Sequence, residues 1–199
     1  MVEIDVDTDG IETVNIVAKA GESSTATETV GIAASTVTNG TVNVSGADAD
    51  DEVTLDAIAS GYTTVSATGL AGDLTIALAA RASSAMTITG GTGSDSIAME
   101  NASDVLDGGT TTGTTDTLVL GGTYNSGGIT VDLTQSGDQI TLFNGTANAT
   151  VQKGFESVDL EAASFGGVGA TITGTTAAQT IKGTNQADTI NPGAGIDSV

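Results

Sequence analysis

Gly90-Gly91-Thr92-Gly93-Ser94-Asp95-Ser96-Ile97-Ala98 is the stretch whose reading decides the fold. It follows the pattern G-G-x-G-x-D-x-U-x, with U a large aliphatic residue, at every specified position. Asp104 and Leu106 keep the end of the pattern through 99–107, and Gly108-Gly109 reopens it toward Asp116 and Leu118. Cut every nine residues from Phe165, the C-terminal part reads FGGVGATIT, GTTAAQTIK, GTNQADTIN and PGAGIDSV. The eighth position is then Ile172, Ile181, Ile190 and Val199, and the sixth is Ala170, Gln179, Asp188 and Asp197. A weaker copy, GADADDEVT, spans 46–54 and carries Asp51.

Such a period predicts a three-residue strand, x-U-x, with U in the core, joined by a six-residue turn. Glycines let that turn adopt positive φ and leave its carbonyls uncovered. An aspartate beside those carbonyls adds a hard anionic oxygen. Calcium takes about six to eight such oxygens, more than one turn supplies. Two nonapeptides make one coil, so every second turn stacks on the same edge and a pair of turns can share one ion. Gly91, Gly93, Asp95, Asp104, Gly109, Asp116, Asp51, Asp188, Gly195 and Asp197 are therefore the predicted calcium ligands. Asp95 and Asp116 form the best internal pair. Asp188 and Asp197, one repeat apart, fall on opposite edges and look for partners beyond Val199, in more chain or in a neighbouring copy. Gln179 and Ala170 stand where aspartate is expected. Asp5, Asp7 and Asp9 spell the first half of a D-x-D-x-D-G calcium loop, but Ile16 occupies the place of its closing glutamate. A plain strand with Val2, Ile4 and Val6 inward competes with that loop.

A longer repeat links Gly10-Ile11-Glu12-Thr13-Val14 with Gly154-Phe155-Glu156-Ser157-Val158, and Gly61-Tyr62-Thr63-Thr64-Val65 is a looser copy. Short alternating runs at 12–17, 41–44, 73–78, 129–133 and 138–142 are rich in Val, Ile and Thr and predict strands. A helical turn near 78–85 is the one helical expectation. The organisation reads as 1–89, a β-rich module; 90–122, glycine–aspartate turns; 123–164, a second β-rich module; and 165–199, a nonapeptide roll, all in one continuous solenoid.

Composition narrows the function. The chain of 199 residues has 25 acidic and 4 basic residues, a formal charge of −21, and neither His nor Cys. That field repels nucleic acid and anionic lipid and attracts divalent cations. Imidazole and thiol chemistry is closed, and no nucleophile elbow or phosphate loop occurs, so the expectation is no enzyme. No apolar run is long enough for a membrane helix. The acidic N-terminus is not a cleavable signal peptide, so export is expected by a route that reads none, or from a longer protein.

The nonapeptides GGTGSDSIA, GTNQADTIN and PGAGIDSV resemble the RTX repeats of proteins exported by type I secretion. The G-[IF]-E-[ST]-V motifs among Thr-, Ala- and Gly-rich strands resemble bacterial surface-layer (S-layer) proteins of that secretion class. The resemblance implies an all-β, parallel β-solenoid (RTX β-roll or β-helix-like coils) that folds on binding Ca2+. It implies a secreted structural component of the extracellular cell surface. Its partners would be copies of itself in a lattice or filament, calcium and a cell-surface polysaccharide. A calcium-stiffened adhesin repeat and the RTX segment of a secreted hydrolase are the alternatives.

Overall fold

The computed structural model describes residues 2–7, 10–19, 26–33, 36–77, 84–110, 114–125 and 127–199. Asp9, and residues 78–83 of the expected helical turn, lie outside them. Every regular element among the described residues is a strand. The first eleven are β1 (Val2–Asp7), β2 (Thr13–Val17), β3 (Ala26–Ala33), β4 (Gly40–Gly46), β5 (Asp51–Ile58), β6 (Tyr62–Leu70), β7 (Leu74–Ile76), β8 (Thr87–Thr89), β9 (Ser96–Met99), β10 (Val105–Asp107) and β11 (Thr117–Thr123). There follow β12 (Ile129–Asp132), β13 (Ile140–Phe143), β14 (Thr146–Ala147), β15 (Gln152–Lys153), β16 (Ser157–Ser164), β17 (Ala170–Thr173), β18 (Ile181–Lys182) and β19 (Thr189–Asn191).

Consecutive strands from β1 to β11 alternate between two sheets, and each from β1 to β9 pairs in parallel with the strand two places on. The first sheet is ordered β1-β3-β5-β7-β9-β11-β16-β18 and the second β15-β10-β8-β6-β4-β2. A third sheet, β14-β13-β12-β17-β19, begins where the chain turns back on itself in the antiparallel meander β12–β13–β14. The chain then returns through β15 to the second sheet and β16 to the first, and β17, β18 and β19 alternate between the third and first sheets. None of the sheets closes on itself, and the first draws strands from all four sequence segments.

The core follows from the two-residue side-chain period. In the first sheet Val30, Leu55, Ile76, Ile97, Leu118, Val158 and Ile181 stack in register and are all buried. In the second, Val14, Val42, Val65, Ile88 and Leu106 do the same, and buried Gln152 ends the column. One position before the first column lies a row of hydroxyl residues, Thr29, Thr54, Thr75, Ser96, Thr117, Ser157, Thr180 and Ser198, of which Thr29 and Ser157 are buried. The eighteen-residue coil expected of two nonapeptides occurs where Ile88 pairs with Leu106 and Ile172 with Ile190. Ile76, Ile97 and Leu118 instead recur every 21 residues, the extra chain lying in the turns.

Aromatic packing is confined to one cluster beside the meander, where Tyr124 stacks on Phe165 with ring centroids 4.9 Å apart and meets Phe143 edge-on. Asp132 lies at the end of β12, partly exposed, and its carboxylate accepts from the Thr134 amide and hydroxyl. Truncating a core column should be costly and truncating the hydroxyl row cheap. Ile97→Ala should lower unfolding free energy by about 2–5 kcal/mol in urea titration, against less than about 1 kcal/mol for Thr54→Ala.

Candidate metal centre

Asp95 stands two residues before Ile97, Asp104 two before Leu106 and Asp116 two before Leu118. The two-residue period therefore turns these aspartates to the same face as the core aliphatics. Asp95 is 1 % exposed, and Asp104 and Asp116 are 0 % exposed. In Leu74 and Val53 the same inward position of the first sheet is apolar. From Asp95 onward it is polar: Asp95, Asp116, Glu156, Gln179 and Asp197 follow in register.

This column caps the strand starts of its neighbours. The Leu74 amide donates to Asp95 Oδ1 at 2.7 Å, the Asp95 amide to Asp116 Oδ1 at 2.8 Å, and the Asp116 amide to Glu156 Oε2 at 2.8 Å. The Gln179 amide donates to Asp197 Oδ1 at 3.0 Å. Asp104 serves the second sheet in the same way, taking the amides of Met86, Glu100 and Asn101, and Asp188 serves the third through Ala170. Asp95 Oδ2 also closes its own turn on the Gly91 amide at 2.6 Å. Glycine is required where these turns stack. A methyl on Gly90 would strike the Gly108 carbonyl and the Asp95 carboxylate, and Gly109 has φ +121°.

The remaining predicted ligands are dispersed. Gly93 stacks on Gly72, and Asp51, 2 % exposed, holds the Asp48 amide within its own turn. Gly195 sits exposed over Ala177 with φ +123°. Asp188 and Asp197 cap different sheets, so they stand apart. Asp5 and Asp7 belong to β1, which pairs in parallel with β3, and no helix occurs among the described residues. Asp95, Asp116 and Glu156, the last outside the predicted ligand set, are brought together. The signal for Glu156 was present: Glu156-Ser157-Val158 has the same acid-x-aliphatic spacing as Asp95-Ser96-Ile97.

The column is not fully satisfied. Asp116 Oδ2 is buried without a hydrogen-bond partner. Burial, with the charges of Asp95, Glu156 and Asp107 adding to it, pushes the Asp116 carboxyl up to about 7. Burial raises Asp95 to about 6 and raises Glu156 as well. Gln179, one step beyond Glu156, has no such deficit. Its Oε1 takes the Thr175 amide and its Nε2 donates to the Glu156 carbonyl. A carboxamide thus supplies the positive partner that a carboxylate lacks. At Asp116 a proton or a cation has to take that part. Among the described residues no three carboxylates converge into a metal cluster.

Two consequences can be measured. Both raised carboxyls bind protons more tightly in the folded protein than in the unfolded chain, so folding takes up protons between about pH 4 and 7. Metal-free protein should therefore lose thermal stability as pH rises through that window. Asp132, lowered mainly by the Thr134 hydroxyl, acts in the opposite sense and loses its contribution toward acid pH. Asp116→Asn should raise metal-free stability at pH 7.5 by on the order of 2 kcal/mol, since it removes a buried charge. A pH-independent melting temperature would contradict the assignment. Compared with known proteins, the chain matches no family model, and no curated protein or solved structure shows significant similarity to it.

Proposed function

We propose that this chain is a calcium-folded, non-enzymatic parallel β-solenoid segment of a secreted bacterial surface layer. The observation that carries the reading is the unpartnered Asp116 oxygen in a stacked column of inward carboxylates. Divalent calcium neutralises such a column, satisfies the free oxygen and ties successive turns together. The alternation of parallel strands between facing sheets is the connectivity a solenoid requires. A formal charge of −21 makes the metal-free state self-repelling.

Open sheet edges support assembly. The first sheet ends on β1 and β18, the second on β15 and β2, and the third on β14 and β19. Unpaired edges offer backbone donors and acceptors to another chain. With 4 basic residues against 25 acidic ones, contacts between copies rest on edges, Thr and Ala surfaces and shared cations rather than on salt bridges. A lattice component of the cell surface uses these features directly.

Circular dichroism should show β structure in millimolar calcium and markedly less in chelator; identical spectra would remove calcium folding from the proposal. In calorimetry Asp95→Ala and Asp116→Ala should each weaken calcium binding at least about tenfold, while Asp132→Ala should leave it unchanged. Electron microscopy should find ordered sheets or filaments in calcium and dispersed particles in sodium at equal ionic strength. Monodisperse monomers in calcium at high protein concentration would favour an adhesin repeat or a hydrolase passenger instead.

A further inference from the structure

The outer face of the second sheet carries two straight rows of side chains. One position before the buried column stand Thr13, Thr41, Thr64, Thr87 and Val105, with Val151 next along. One position after it stand Asn15, Asn43, Ser66, Thr89, Asp107 and Lys153. The two-residue period turns both rows away from the core, and every member is exposed or half-buried. The first row is β-branched throughout, so its side chains are stiff at χ1. Its last two members replace the threonine hydroxyl with a second methyl, and Val105 and Val151 are 39 % and 40 % exposed. In the second row Asn43 Nδ2 donates to Asn15 Oδ1 at 2.9 Å. Asp107 and Lys153 are the only charges in either row, and they neutralise each other with Nζ 3.0 Å from Oδ2. A chain with 25 acidic residues has kept these two rows without net charge.

We infer that this face binds ice, a crystalline surface of water. Parallel strands set neighbours within a row about 4.8 Å apart and the two rows about 6.6 Å apart. Oxygen rows on the prism faces of ice repeat at closely similar intervals in two directions. Threonine and valine methyls order the water lying between them, and hydroxyls and amides at fixed sites anchor that water by hydrogen bonds. The exposed valines continue the threonine row in shape, so methyls as well as hydroxyls are presented at the same repeat. Charge selects an uncharged crystal over a dissolved ion. These rows hold no net charge for an ion to pair with, and ice needs none. The strongly hydrated carboxylates elsewhere on the chain suit an ice front poorly, and both rows exclude them apart from the paired Asp107. The inference draws on strand register and exposure alone, and is independent of calcium binding and of contacts between copies.

Partition of the complete chain into slowly grown ice, in dilute buffer with millimolar calcium, tests this together with freezing-point hysteresis. The parent chain should be taken up into the ice, facet growing crystals and hold a gap between melting and freezing. Thr64→Tyr, a bulky side chain in the middle of the first row, should abolish uptake and hysteresis. Thr87→Tyr, at a more exposed position of the same row, should do the same. Thr171→Tyr, on the outward face of the third sheet, should leave both unchanged. Circular dichroism of the three variants should match that of the parent, and their calcium titration should be unaltered. Loss of ice uptake with those readings intact therefore reports on this face and not on calcium folding. Exclusion of the parent chain from ice, uptake that survives both row variants, or adsorption to microcrystalline cellulose in place of ice would overturn the assignment.

Discussion

The inward carboxylate two residues before the core aliphatics Ile97, Leu106, Leu118 and Val158 is the constraint on which the stacked turns depend. A short parallel strand leaves its first amide without a partner in its own coil, and a buried amide without an acceptor is costly. Asp95, Asp116 and Asp104 reach across to the neighbouring coil and supply that acceptor. The solution stacks anions beside one another in a water-poor place. Asp95 and Asp116 hold the coils in register through hydrogen bonds and push them apart through charge. The aliphatic columns beneath, Ile76, Ile97, Leu118 and Val158, offset the repulsion by burial. A proton or a cation at the free Asp116 oxygen would remove it at the source.

Side chains adjust this balance coil by coil. Val53 and Leu74 put carbon where the later coils put oxygen, so the early first sheet needs no counter-ion at that position. Gln179 keeps the hydrogen bonds and drops the charge, closing the ladder between Glu156 and Asp197 without a cation. Between these neutral ends, Asp95, Asp116 and Glu156 concentrate the electrostatic strain in one stretch of the edge. The demand for a proton or counter-ion then resides in that stretch and not evenly along the chain.

The departure from regular coiling has its own logic. Between β11 and β16 the chain leaves the two-sheet alternation, folds back through β12–β14 and begins a third sheet. Gln139 and Gln152 pin that excursion to the coils by hydrogen bonds to the Phe155 backbone and the Asp104 carbonyl. Tyr124, Phe143 and Phe165, three of the five Phe and Tyr residues, fill its other side. A cleft opens where the regular stack is interrupted, beside Lys153, one of four basic residues.

The repeat unit was legible in the sequence because its signals are local. Glycine pairs, an aspartate and an aliphatic at fixed spacing fix a turn, a short strand and the face each side chain takes, so Asp95 and Asp116 could be set on one edge from residue order alone. The alternating runs at 41–44, 73–78 and 129–133 announced strands for the same reason. Coil length was not legible: chain added in a turn changes no strand pattern, and only pairing reveals that Ile97 meets Leu118. Nor was the place of Glu156, 40 residues from Asp116 in sequence and hydrogen-bonded to it in space. The meander and its cleft arise from the meeting of three sheets, and the free Asp116 oxygen from the tally of donors around it. Local chemistry determined the turn and the strand, while long-range pairing decided which turns meet and which oxygen is left without a partner.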